Sequence, residues 1–267
     1  VVEEADLWSP ENPALYELSA ELYTCGKDCG VPGVDYDFSG EEKLDEAQTI
    51  FGVRTIAADA KHGFMLNGKT LKLKGGCIHH DNGILGAESY YDAEYRKVCL
   101  HKENGYNALR LAHNPQSSQL LDICDELGVI VIDEAFDTWN MEKNALDFST
   151  FFHEEWQQEL EAMLLRDRNH PSVCFWSIGN ELSELENGYQ VSSELAAFVR
   201  KYDTSRLVCG ALCSFFKGLN DEDTQKFWKA LAEEVSANGG SFVNLDNSFG
   251  KKIWPEYTAP FVKDWDV

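Results

Sequence analysis

Four apolar runs in this chain end in hydrogen-bonding or titratable side chains, one after another. Leu71 to His79 passes into His79-His80-Asp81, and Ala108 to His113 carries Arg110 and ends in His113-Asn114-Pro115. Val129 to Ala135 leads into Asp133-Glu134-Ala135-Phe136-Asp137-Thr138-Trp139, and Val173 to Ile178 ends in Trp176-Ser177-Ile178-Gly179-Asn180-Glu181. A single cluster of this kind is ordinarily helix capping. Four in succession point to one shared pocket of carboxylates, an amide, imidazoles and aromatic faces, which suits a sugar. Sugar hydroxyls take paired bonds from Asp, Asn and His, and apolar ring faces stack on an indole such as Trp139. Cleaving a glycosidic bond takes two carboxyl groups flanking it, about 5–5.5 Å apart in the retaining mechanism. Glu181 is the natural acid/base, because a half-buried glutamate after an apolar strand is the residue type that holds a proton near neutral pH.

Each of these residues also has a plainer reading. Asp133 and Glu134 fit a structural ion-pair network as well as they fit catalysis, and Arg110 either neutralises them or orients a catalytic carboxylate. His170-Pro171 precedes its strand, so it falls at the opposite face and is structural. His62, His101 and His153 read as surface residues, and the acidic stretch Glu154 to Glu161 as a solvated helix face.

The elements that must position the clusters follow from periodicity. Residues 1–56 read as β: Ala14 to Tyr23 alternates apolar and polar, and Gln48 to Ile56 reads as a last strand. Two or three strands bury neither face, so this is part of a sandwich. After about residue 66 the pattern becomes strand–helix: helices are predicted near Asp92 to Asn104, Ser117 to Leu127, Phe151 to Asp167, Val191 to Tyr202 and Asp221 to Ser236, with a fifth strand at Leu207 to Leu212. Such alternation means parallel pairing, and strands this apolar are buried on both faces. A doubly wound sheet and a (β/α)8 barrel both satisfy it. The first strand lacks the G-x-G-x-x-G turn of a dinucleotide fold, and no phosphate-binding Gly-x4-Gly-Lys-Ser/Thr loop occurs, which favours the barrel.

Composition sets the outer bounds. Of 267 residues, 43% are hydrophobic and 26% charged, enough for a sizeable core. Acidic residues outnumber basic ones 46 to 23, a net charge of −23. Such a surface repels phosphates and anionic lipids, which argues against nucleic acid and membrane as partners. No apolar run approaches the ~20 residues of a membrane span. The eight cysteines include two C-x3-C pairs, Cys25/Cys29 and Cys209/Cys213, with no histidine pair beside them. Buried reduced thiols are expected, which fits a reducing compartment. The first residues, Val-Val-Glu-Glu-Ala-Asp, are not a secretory leader, so the expected location is cytoplasmic.

Asp167-Arg168-Asn169-His170-Pro171-Ser172-Val173 followed by Trp176-Ser177-Ile178-Gly179-Asn180-Glu181 closely resembles the acid/base signature of glycoside hydrolase family 2, the β-galactosidase, β-glucuronidase and β-mannosidase family. Further segments match in order: Leu7-Trp8-Ser9-Pro10-Glu11-Asn12-Pro13, Phe51-Gly52-Val53-Arg54, Lys74-Gly75 through His79, Asn107-Ala108-Leu109-Arg110 through Pro115, and Asp133-Glu134-Ala135. Gly75 to Gly83 and Asp133 to Trp139 are most like the bacterial β-galactosidase branch. The resemblance implies that residues 1–58 are the C-terminal part of an immunoglobulin-like sandwich and 59–267 the N-terminal part of a TIM-barrel catalytic domain. It implies Glu181 as acid/base, Asn180 on the sugar 2-hydroxyl, His79, His113 and Asp137 lining the glycone subsite, and Arg110 near the nucleophile.

Two departures qualify it. Members that bind magnesium carry Glu-x-His after the third strand, whereas this chain has Asp137-Thr138-Trp139-Asn140, so no metal and no other cofactor is expected. The family's nucleophile is a glutamate ending barrel strand seven, whereas Phe261 to Val267 reads as the approach to strand six, so no residue here is assigned to that role. Five units fill about 200 residues, and eight need roughly 250 or more. The expectation is therefore a fragment, inactive on its own, of a retaining exo-β-glycosidase acting on a β-galactoside or related carbohydrate. Its open strand edges invite pairing with another chain, a homo-oligomer included. The other reading is a non-catalytic carbohydrate-binding or assembly module. A β-glucuronidase would need a basic or amide contact to the substrate carboxylate, and the sequence does not single one out.

Overall fold

A computed structural model describes residues 2–24, 37–182 and 188–212. The Cys25/Cys29 pair, Cys213, the helix expected at Asp221 to Ser236 and the strand approach at Phe261 to Val267 lie outside the described residues.

The first two strands, β1 (Tyr16–Tyr23) and β2 (Lys43–Phe51), form an antiparallel hairpin exposed on both faces. The second strand begins earlier than the expected Gln48. Its polar sequence, KLDEAQTIF, lacks the alternation that one buried face would impose. Three short antiparallel strands follow, β3 (Ile56–Asp59), β4 (Gly63–Leu66) and β5 (Lys69–Thr70). They are absent from the expected element order, although Asn67-Gly68 is a hairpin-turn signal, and both residues take positive φ, 52° and 74°.

Five parallel strands then stand side by side in chain order: β6 (Gly75–Ile78), β7 (Ala108–Leu111), β8 (Ile130–Glu134), β9 (Val173–Ser177) and β10 (Leu207–Cys209). Between them run α1 (Tyr91–Glu103), α2 (Ser118–Leu127), α3 (Ser149–Asp167) and α4 (Gly188–Tyr202). A doubly wound sheet reverses strand order at a switch point, whereas strands kept in chain order build a barrel wall. Among the described residues the fold is thus a partial α/β barrel. β7, β8 and β9 are buried almost throughout, as their apolar runs require, while the outermost β6 is largely exposed.

Side chains divide between two layers. Leu109, Leu111, Val131, Val173 and Trp176 face the helices, where Leu120, Leu160 and Leu195 meet them. Ala108, Ile130, Cys174 and Phe175 face inward, and Phe64, Leu66 and Trp8 close the amino-terminal end of the strands over them. The small β3–β5 sheet is therefore the floor of the barrel, with the Phe64 and Phe175 rings 5.0 Å apart. Cys124 and Cys174 are buried thiols as expected, but Cys77 is exposed on the outer strand. Among the described residues no helix is long and apolar enough to cross a membrane.

Polar groups fasten this floor. Trp8 Nε1 donates to the Asp125 carbonyl at 2.9 Å, and Arg54 donates to the carbonyls of Pro171 (2.6 Å) and Val173 (2.7 Å). Gly128 ends α2 with φ 67°, and a Cβ there would lie 2.7 Å from the Pro10 carbonyl oxygen, so only glycine fits. Asp125 accepts from Ser172 N at 2.9 Å and lies 2.6 Å from His170 Nδ1. Burial works against the imidazolium, but the bond to Asp125 and the fields of Asp122 and Asp167 outweigh it and raise the His170 pKa. A raised histidine pKa adds stability that is complete below about 6.5 and is lost as pH climbs through the folded value. His170→Gln is expected to cost about 1.5–3 kcal/mol at pH 6, where a charged hydrogen bond is lost, and clearly less at pH 9. Urea unfolding of the whole protein at the two values checks this, and a pH-independent difference would contradict it.

Candidate active site

Alternation along β8 decides which way its two acids point. Glu134 turns inward, and Asp133 turns outward with Val131 toward the helices. Glu134 has no solvent exposure at all. Arg110 reaches it through Nε (2.9 Å to Oε2) and Nη2 (2.6 Å to Oε1), Ser177 Oγ donates to Oε2 at 2.6 Å, and His113 Nδ1 lies 2.8 Å from Oε1. Of the two readings of Glu134, the ion-pair network is the one the geometry displays. Burial disfavours the Arg110 cation, but Glu134 more than offsets this and raises its pKa.

The network continues toward the opening. Arg110 Nη2 donates to Asn180 Oδ1 (3.0 Å), and Asn180 Nδ2 donates to Asp137 Oδ1 (3.0 Å). Asn180 N donates to the Phe136 carbonyl at 2.9 Å, which fastens the turn after β9 to the loop after β8. Burial opposes the Asp137 charge, yet the bonds from Asn180 and Lys143 hold its pKa below the ordinary value. Lys143 Nζ sits 3.1 Å from Asp137 Oδ1 and 2.9 Å from Glu181 Oε2. Glu181 is in the left-handed backbone region at φ 58°, which few non-glycine residues adopt, and its side chain is 32% exposed. Gly179 two residues earlier has φ 153°, and a Cβ there would lie 2.7 Å from Trp139 Nε1.

The structure thus brings Arg110, His113, Asp137, Asn180 and Glu181 into one continuous network at the carboxyl ends of β7, β8 and β9. His79 adjoins it: exposed at the end of β6, its ring stands edge-on to His113 with centroids 5.0 Å apart. Trp139 departs from the expectation of a sugar-stacking indole. It is 0% exposed, packed on Gly179 with the Lys143 ammonium 5.2 Å from its ring centroid, so neither ring face is open. The reading by residue type misses Lys143. It stands in an aperiodic loop six positions after Asp137, and its only signal is a lone cation in a carboxylate-rich stretch. A cavity of about 370 Å³ opens beside Asp137, lined also by Asn114, Pro115, Phe136, Asn144 and Phe148.

The family model for the TIM-barrel domain of glycosyl hydrolases family 2 matches residues 58–244. The chain belongs to glycosyl hydrolase family 2. Beta-galactosidase BoGH2A of Bacteroides ovatus is 38% identical over 235 residues, which is 82% of this chain and 26% of that protein. The Bacteroides fragilis beta-glucuronidase is 31% identical over 218 residues, 77% of this chain and 28% of that one. A solved family 2 member from Bacteroides cellulosilyticus superposes with a TM-score of 0.69 at 45% identity, covering 78% of this chain and 25% of its own. A family 2 beta-galacturonidase from Eisenbergiella tayi gives 0.65 at 27% identity, over 80% and 34%. The chain spans between 18% and 28% of the length of curated relatives such as these.

Behind the candidate site, Asp133 meets Asp167 at the end of α3. Among the described residues neither Asp133 oxygen has an N–H or hydroxyl partner, whereas Arg166 donates to both oxygens of Asp167, at 2.6 and 2.8 Å. Two facing carboxyls bond only if one keeps its proton, and Arg166 assigns that proton to Asp133. Burial first, and then Asp167, push the Asp133 pKa well above the ordinary aspartate range. A raised carboxyl pKa costs stability increasingly as pH rises above about 3.9 toward the folded value. Asp133→Asn mimics the protonated form and removes that cost. The variant is expected to be at least as stable as the parent at pH 8, with the difference shrinking toward pH 4. A loss above about 2 kcal/mol at pH 8, the size of an unsatisfied buried group, would contradict the shared proton.

Proposed function

We propose that the protein carrying this chain is a retaining exo-β-glycosidase that hydrolyses O-glycosidic bonds, nearest in kind to a β-galactosidase, with Glu181 as acid/base. The observation that supports it most is the placement of Glu181. It is a partly exposed carboxyl just past the carboxyl end of β9, joined through Lys143 and the cavity-lining Asp137 to an amide and a buried Arg–Glu pair. In the first half-reaction the Glu181 carboxyl gives its proton to the glycosidic oxygen as the C1–O bond breaks and C1 bonds to the nucleophilic carboxylate, and in the second it takes a proton from the water whose oxygen displaces that carboxylate from C1. Asn180, Asp137, His113 and His79 supply donors and acceptors for glycone hydroxyls, and Arg110 orients the Glu134 side of the pocket. Residues 1–58 are read as the end of an immunoglobulin-like sandwich and 59–267 as the first part of the barrel.

Among the described residues Asp137 is the carboxyl that shares a cation with Glu181, but it does not suit the nucleophile's place. The space between it and Glu181 is filled by the ammonium that both share, and its Oδ1 already accepts from Asn180. No residue of this chain is assigned to that role. A neutral glycone is favoured over a uronate. Among the described residues the one lysine in the network is already shared by two carboxyls, and a substrate carboxylate would have to compete with both.

In the protein expressed from its whole reading frame, Glu181→Ala is expected to lower kcat/KM for phenyl β-galactoside by roughly 10²–10⁴-fold, the usual contribution of a general acid. 2,4-Dinitrophenyl β-galactoside, whose leaving group departs unprotonated, is expected to lose far less. Added azide is expected to restore its turnover and to yield the β-galactosyl azide. Unchanged hydrolysis of phenyl β-galactoside by the variant would remove Glu181 from the role, and an α-configured azide would remove the retaining mechanism.

A further inference from the structure

The loop between β8 and α3 holds one cation against the site with more care than a surface lysine receives. Lys143 N and Asn144 N both donate to Asp147 Oδ2, at 2.8 and 2.9 Å, and Ser149 N donates to Oδ1 at 3.0 Å. One carboxylate thus fixes the backbone on which Lys143 stands. The ammonium lies over the buried Trp139 indole, and the side chain is only 16% exposed. Holding a long flexible side chain still costs rotamer freedom, a cost this loop meets with one clamp and one aromatic face. Burial disfavours the charge, but the bonds to Glu181 and Asp137 outweigh it and raise the Lys143 pKa, so it stays a cation. Its two partners are not equivalent. Asp137 is held by Asn180 as well, whereas Lys143 is the donor on Glu181 among the described residues, and it sits on Oε2.

We propose that Lys143 is a positioning residue for Glu181: by occupying Oε2 it fixes the orientation of this partly exposed carboxyl and leaves Oε1 as the oxygen that carries the proton to and from the substrate. The inference rests on the reading of Glu181 as acid/base. Lys143 itself keeps its proton throughout and touches no bond that forms or breaks. Without the ammonium, Asp137 and Glu181 face each other as like groups in a half-desolvated pocket, and the Glu181 carboxyl loses the contact that orients it. Mispositioning of an acid harms the step that needs its proton, and harms less a step that does not.

The test uses Lys143→Met, which keeps the stem and removes the charge, and Lys143→Arg, which keeps the charge, both in the protein expressed from its whole reading frame. kcat/KM reports the proton-donating half-reaction, so it is compared between phenyl and 2,4-dinitrophenyl β-galactoside. Lys143→Met is expected to lower the phenyl value at least tenfold more than the dinitrophenyl value, and Lys143→Arg to recover part of that selective loss. Should Lys143→Met fail to fold, as judged by its thermal midpoint, Lys143→Gln carries the same comparison. Equal losses on the two substrates, with no selective recovery in Lys143→Arg, would show a merely structural lysine and overturn the proposal. Turnover of neither substrate by the unmutated protein overturns the glycosidase reading beneath it instead.

Discussion

A carboxyl with no access to water must be answered by protein donors, and the architecture of this site depends on how Glu134 is answered. An unpaired buried carboxylate costs several kcal/mol. The groups that prevent this come from three places: the guanidinium of Arg110 in β7, the imidazole of His113 just beyond it, and the hydroxyl of Ser177 at the end of β9. Glu134 can collect all of them only in the observed register, with Leu111 opposite Asp133 and Ser177 opposite Glu134. A slip of one residue would turn Glu134 into the helix layer and Asp133 inward. One charge therefore ties the pairing of the three central strands to the shape of the pocket above them.

From that node, orientation passes outward through groups of alternating character. Asn180 is the step that no other residue type fills as well. Its amide oxygen accepts from Arg110 while its amide nitrogen donates to Asp137. An aspartate there would satisfy Arg110 but present no donor to Asp137, and a leucine would do neither. Because Asn180 precedes Glu181 directly, the bonds that fix the amide also fix the backbone from which the acid/base candidate projects. The left-handed conformation of Glu181 and the glycine two positions before it belong to the same turn, bent tightly enough over Trp139 that no Cβ fits at residue 179.

Much of this was legible in the residues. The apolar runs gave β7, β8 and β9 to within about two residues at either end, and the polar clusters after them assemble as their order implies. What escaped did so for identifiable reasons. The β3–β5 floor consists of strands of two to four residues, too short for any period, although its Asn67-Gly68 turn was a local signal. Residue type alone makes Trp139 a stacking platform. Its burial is set by Gly179, forty positions on, and by a lysine in an irregular loop, and neither contact leaves a trace in spacing. Lys143 escaped for the same reason: loop geometry is fixed here by one aspartate accepting three backbone N–H groups, and any polar loop contains aspartates. The outward turn of Asp133 was implicit in alternation along β8, but its shared proton follows only from the meeting with Asp167 at the far end of a 19-residue helix.

The two ends of the barrel wall use similar residue types to opposite purposes, and the difference lies in what the charges are bonded to. At the amino-terminal end, Arg54 and Arg206 spend their donors largely on backbone carbonyls: Pro171 and Val173 for the first, Val173, Arg168 and His170 for the second. A carbonyl locked in a packed turn cannot move aside, so those cations are permanently engaged and act as fasteners. At the carboxyl end, Arg110, Asn180, Asp137, Lys143 and Glu181 are bonded mainly to side chains of the same network, and a cavity opens beside Asp137. A side-chain partner can rotate and be replaced by an incoming hydroxyl at little cost, since one hydrogen bond is exchanged for another. Charge satisfied by backbone makes a wall, and charge satisfied by other side chains makes a network that a polyhydroxylated ligand can join by exchanging one hydrogen bond for another, without leaving a buried group unpaired.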